Sequence, residues 1–183
     1  MKIFTTSHIF RYPWTQVSAA NWRKYPNENC PHVIAIDVID QHVDPETGIL
    51  RLERLITCKQ NVPSFIRRLC GAASVTYARE ISEIDPKNKV LKMTSWNLSL
   101  KHLVSVAETV VYSEDPEDSS RTCFTQEASI KCGESLERFA NYIESFCVQR
   151  FHDNAQKGRQ GFETVLERLR QSRAAMPAQE THD

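Results

Sequence analysis

Arg150, Asn154 and Lys157 are spaced so that a helix would bring them into line. At about 100° per residue, with Arg150 at zero, Asn154 and Lys157 fall within about 40° of it, in the sector that Phe139, Ile143 and Phe146 occupy earlier. That face begins apolar and turns polar, while Phe151, Phe162, Val165 and Leu169 drift from it by roughly a quarter turn. Two cations and an amide are therefore expected to look into the interior. Buried cations without partners are costly, so the stripe implies acidic neighbours, access to water or an anionic ligand. A similar exception occurs at 48–57, where Leu50, Leu52, Arg54 and Ile56 share one strand parity and Arg51 and Glu53 the other. Arg54 thus points with the apolar side. Its planar fork suits a phosphate or carboxylate, and the alternative is an internal salt bridge to an acid on a neighbouring strand.

The segment 62–69 offers Val62, Phe65, Ile66 and Leu69 at helical spacing beside Arg67 and Arg68, with Pro63 and Gly71 as possible hinges. An apolar face with a cationic shoulder fits a lid that dips into an anionic interface; it also fits a short helix covering a sheet edge.

No enzyme constellation stands beside these residues. G-x-S-x-G and H-E-x-x-H are absent, and 5 glycines could hardly supply a phosphate-cradling loop. The six histidines are dispersed, and the six cysteines show neither C-x-x-C nor a paired Cys/His spacing, so neither a metal site nor a cofactor is expected. Lys plus Arg number 23 and Asp plus Glu 23, so no global field draws the chain to nucleic acid, and any attraction to anions is local.

The elements that would position these groups are legible. Strand patterns run over 2–10, 32–43, 48–57, 75–84, 89–98, 103–113 and 122–131, separated by turn chemistry such as Asp44-Pro45-Glu46-Thr47-Gly48. A short helix is expected from Pro13 to Lys24, and a long one over 133–173, where no proline interrupts a helical apolar spacing. A meander of about seven amphipathic strands offers the broad apolar surface that such a helix needs, so the expected fold is α+β, a curved antiparallel sheet wrapped around the C-terminal helix in a helix-grip. One domain over 1–173 and a frayed tail at 174–183 are expected from a chain of 183 residues. The longest apolar runs fall well short of the roughly 20 residues that a membrane span needs, and 1–10 reads as a strand rather than a signal or transit sequence.

The chain resembles the PRELI-like (slowmo/Ups) family over almost its whole length. The carrying residues are His8-Ile9-Phe10, Tyr12-Pro13-Trp14, Ala20-Asn21-Trp22-Arg23-Lys24-Tyr25-Pro26-Asn27, Pro31-His32-Val33, Glu53-Arg54-Leu55-Ile56-Thr57, Val62-Pro63, Asn97-Leu98, Gln126-Glu127-Ala128, and Arg150-Phe151 with Asn154-Ala155 and Lys157-Gly158. The wording of 20–28 and 53–60 is nearer the fungal branch associated with phosphatidylserine than the branch associated with phosphatidic acid. The resemblance implies a START-like helix-grip that carries phospholipid between the outer and inner mitochondrial membranes. It also implies the intermembrane space, transient contact with anionic membranes, and pairing with a small helical-hairpin protein bearing twin C-x9-C motifs. It places the lipid head group against Lys24, His32, Arg54, Arg150, Asn154 and Lys157, with 62–69 as the lid. The phosphatidic-acid branch has a lysine where Cys58 stands here; Lys59, one residue later, joins the site only if a bulge turns it inward. Phosphatidic-acid transfer is the alternative cargo, and an enzyme on the same cavity fold or a regulatory partner that carries no lipid are the alternatives of other classes.

Overall fold

In the computed structural model, residues 1–59 and 75–174 are described, with side chains to 172. The expected lid at 62–69, with Val62, Phe65, Ile66, Arg67, Arg68 and Leu69, lies outside these residues, as does the tail beyond 174. Period-two alternation produces β1 (Lys2–Phe10), β2 (Val33–Val43), β3 (Leu50–Lys59), β4 (Val75–Asp85), β5 (Val90–Asn97), β6 (Val104–Asp115) and β7 (Asp118–Cys132). In β7, Thr122, Phe124, Ala128, Ile130 and Cys132 are buried at even positions, which sets the inner face. The seven strands form one curved antiparallel sheet in the order β1-β7-β6-β5-β4-β3-β2. Strands β2 to β7 are a meander, and β1 closes the far edge by pairing with β7. The β2–β3 turn is made as its residues dictate. Asp44 Oδ1 accepts the amides of Glu46 and Thr47 at 2.9 Å each, and Gly48 sits at φ +71°, which costs a glycine least.

Helix α1 (Trp14–Asn21) takes Pro13 as its N-cap and ends earlier than expected. Arg23 and Lys24 donate back three residues, to Ala20 and Asn21, so the chain tightens into turns before Pro26 and Lys24 leaves the helix. The terminal helix also differs at its start. Gly133 is pressed against Leu103 and His102, where a Cβ would come within 2.1 Å of a carbonyl oxygen. The chain then makes a 3₁₀ turn (Glu134–Phe139) with Leu136 off helical geometry, and only then α2 (Ala140–Ala174).

Two apolar clusters hold α2 on the sheet. Near its start, Ile143 packs with Leu103, Cys132 and Leu136. Near its end, Phe162 and Leu166 join Phe10, Trp14, Val17, Leu91, Val110, Tyr112 and Phe124, at about 1.5–3 kcal/mol for each large side chain fully removed from water. The helix rests on β1, β7 and α1. Strand β2 forms the opposite edge and stays open, with Ile34 52% and Val38 59% exposed.

Candidate functional site

Between the two apolar clusters the inner face of the sheet turns polar. Strand register places Arg54 of β3 opposite Glu80 of β4, Glu80 opposite Ser95 of β5, and Ser95 opposite Glu108 of β6. Arg54 donates through Nε (3.0 Å) and Nη2 to Oε1 of Glu80, which also accepts Ser82 Oγ at 3.0 Å. Glu108 accepts Ser95 Oγ at 3.2 Å and the Gln126 side-chain amide. Burial pushes the Glu108 carboxyl up, opposed by those two hydrogen bonds and by the charge of Lys24.

Arg54 joins this row to a cavity of about 430 Å³ lined by Trp22, Tyr25, Val33, Ile36, Val38 and Leu52 among others. The guanidinium stands 4.9 Å over the Trp22 ring. The cavity walls are the turn after α1 and the half of the sheet farthest from β1.

The turn after α1 also brings in Lys24. Its ammonium lies 5.4 Å from the Tyr25 ring and 5.9 Å from that of Phe162 on α2. Burial alone lowers its pKa, but Tyr25, Tyr112, Cys30 and Glu108 around it outweigh burial, and the net displacement is upward. One glycine of α2 admits the turn after α1: a Cβ at Gly161 would meet the Asn27 side chain at 2.8 Å, whereas one at Gly158 would stand at an ordinary 3.9 Å from Lys24 Nζ. Asn27 donates to the Gly161 carbonyl at 3.3 Å.

His32, just before β2, lies beside the same cations. Its pKa is lowered by burial first and then by Lys24, Lys157 and Arg150, so it is neutral at pH 7. The unfolded His32 titrates near 6.5 and takes the proton first. Its contribution to stability is therefore present above about pH 6.5 and lost as pH falls through the folded value. Wild type is expected to lose more stability between pH 7.5 and 5.5 than His32→Gln, as read by urea midpoints. Equal losses would show that His32 does not feel the cations.

The charges of Lys24, Lys157 and Arg150 are thus all felt at His32, while Arg54 stands over Trp22 on the cavity wall. Arg150, Asn154 and Lys157 occupy one flank of α2 as expected, but they are exposed rather than turned into the core. Phe139 of the same sector is exposed as well, at 51%. Ile143, in that sector one turn further on, is packed at 1% exposure, but beyond Arg150 the packed face is the one that carries Phe162 and Leu166, a quarter turn or more around the helix. Arg150 stacks at 5.3 Å on Phe146. Lys59 is a correction. The β3–β4 register is unbroken from Leu50 to Lys59, so Lys59 points to the outer face and is exposed, while Cys58 keeps the parity of Arg54. Burial raises the Cys58 thiol.

Sequence reasoning missed Glu80, Ser95, Glu108 and Gln126. The parity test that singled out Arg54 would have found three of them, since Ser95 shares its strand face with Leu91 and Met93, Glu108 with Val110 and Tyr112, and Gln126 with Phe124 and Ala128; Glu80 shares its face with Ser82, and the parity of β4 gives no such signal.

Comparison with known proteins adds to this geometry. The model of the PRELI-like family matches residues 15–172. The chain is 46% identical to the mitochondrial protein UPS2 of Saccharomyces cerevisiae over 168 residues, covering 91% of this chain and 73% of that one. It is 45% identical to a UPS-like protein of Schizosaccharomyces pombe over 94% of this chain and 92% of that one, and 35% identical to a slowmo homologue of Dictyostelium discoideum over 91% and 72%. Among solved structures, the Zhui aromatase/cyclase of a Streptomyces species superposes with a TM-score of 0.60 at 10% identity, over 91% of this chain and 95% of that one. The di-domain aromatase/cyclase BexL gives 0.57 at 12% identity over 90% of this chain and 47% of that one. At such identities the likeness is one of fold.

Proposed function

The chain belongs to the PRELI-like family, and from that premise we propose that it carries single anionic phospholipids between membranes, with phosphatidylserine as the cargo. The observation that carries this reading is Arg54 on a cavity with apolar walls, with the charges of Lys24, Lys157 and Arg150 felt at His32 just before β2. Each charge-assisted hydrogen bond from these residues to a phosphate or carboxylate oxygen contributes about 1.5–3 kcal/mol. The acyl chains lie along the apolar cavity wall and the open inner face of β2, where Val38 now meets solvent. No bond is made or broken. The exchange runs between the outer and inner mitochondrial membranes, through the intermembrane space, and a small hairpin protein with twin C-x9-C motifs is the partner. Delivered phosphatidylserine would feed mitochondrial phosphatidylethanolamine synthesis. The inward cysteine at 58, in place of a further cation, supports a head group larger and less phosphate-centred than that of phosphatidic acid.

Among the described residues, the Glu108 carboxyl, raised by burial, is the feature that favours an enzyme on this fold. It is engaged by Gln126, Ser95 and Lys24, however, and Arg54 is the charged group that borders the cavity. One experiment addresses these readings. The purified chain is incubated with liposomes containing phosphatidylserine, phosphatidic acid or phosphatidylcholine, and the bound and transferred lipid is analysed by mass spectrometry. Phosphatidylserine is expected to bind and move fastest, with its mass unchanged. Faster movement of phosphatidic acid overturns the head-group assignment; a chemically altered lipid overturns the carrier.

A further inference from the structure

A carrier is empty once in every cycle, and the empty state poses a problem for a buried guanidinium. Arg54 is only 7% exposed and borders the cavity, so without a counterion it would stand uncompensated each time the cargo left. Glu80, 8% exposed and directly opposite in unbroken register, supplies that counterion. Both Nε and Nη2 of Arg54 converge on a single oxygen, Oε1, which also takes the Ser82 hydroxyl. The edge of the guanidinium best shaped for a two-point contact with an oxyanion is therefore already in use. The Trp22 ring, 4.9 Å beneath, lends the guanidinium plane a support that does not depend on which anion it faces.

We propose that Glu80 is a positioning residue acting through Arg54: it holds the guanidinium while the pocket is empty, yields it to the anionic head group on loading, and reclaims it at delivery. The inference rests on the reading of the cavity as a lipid pocket. Competition of this kind weakens cargo binding and in return makes release fast, so removing the negative charge shifts the two in opposite directions. A purely structural role would weaken both.

The test uses the full chain with Glu80→Gln, which keeps the size and one acceptor oxygen, and phosphatidylcholine liposomes containing phosphatidylserine. The variant is expected to retain bound phosphatidylserine at least fivefold longer and to transfer it at least fivefold more slowly. Unchanged retention and transfer, or a loss of both, overturns the proposal. Should the variant fail to fold, the Arg54 Nε–H resonance of the wild-type protein decides the matter: it is expected to move on loading with phosphatidylserine, and an unmoved resonance overturns the proposal. A wild-type protein that takes up no phospholipid would overturn the carrier reading itself, and this proposal with it.

Discussion

Lys157→Glu is expected to abolish phosphatidylserine transfer between liposomes while leaving the stability of the fold within about 0.5 kcal/mol of wild type. Lys157 is exposed on α2, outside both apolar clusters, so little packing is lost. Its charge is nonetheless felt at His32 and Cys30, and the proposal sets it at the head-group end of the site. Loss of one charge-assisted hydrogen bond, about 1.5–3 kcal/mol, corresponds to roughly one to two orders of magnitude in affinity. Reversal also sets a negative charge against the anionic head group. Lys157→Gln separates the two effects and should retain measurable transfer, about tenfold reduced. Normal transfer by a folded Lys157→Glu protein would sink the assignment of this flank to the head group.

The second large effect is on stability. Arg54→Met alone leaves the Glu80 carboxylate buried with, among the described residues, only the Ser82 hydroxyl as donor, at a cost of about 3–5 kcal/mol. The double variant Arg54→Met with Glu80→Met removes both charges at similar volume and is expected to recover most of that loss. Urea denaturation of wild type, both single variants and the double variant gives the coupling directly. A cost below about 1 kcal/mol for Arg54→Met would mean that the cavity solvates Glu80 and that the polar row is effectively wet. The double variant also isolates function from folding, because a stable chain without the pair should have lost its grip on anionic lipid.

Much of this architecture was readable in the residues. Alternation in Lys2–Phe10 and the Asp-Pro-Glu-Thr-Gly turn are local signals, and the strands they specify appear where expected. Helical spacing after residue 133 marked α2, and even the odd parity of Arg54 among leucines proved real. Two of the errors share a cause. Unrolling α2 gave the relative angles of its side chains correctly, but the direction of the sheet is not contained in the helix, and the flank of Arg150, Asn154 and Lys157 turned out to be the exposed one. The 3₁₀ start of the terminal helix arises in the same way, from Gly133 against Leu103, 30 residues away, whereas α1 ends in local three-residue turns before Pro26.

The sequence by itself determined the elements, the antiparallel hairpins and the family, because periodicity and short motifs are properties of neighbouring residues. Tertiary structure alone decided who faces whom. Arg54 and Glu80 stand 26 positions apart, Glu108 and Gln126 18 apart, and Asn27 meets Gly161 across 134. Their pairing depends on strand register summed across the sheet and on the side of α2 that lands upon it. That is why a stripe of cations in the sequence became, in the folded chain, an exposed flank of α2, while Arg54, buried on the cavity wall, already has a partner.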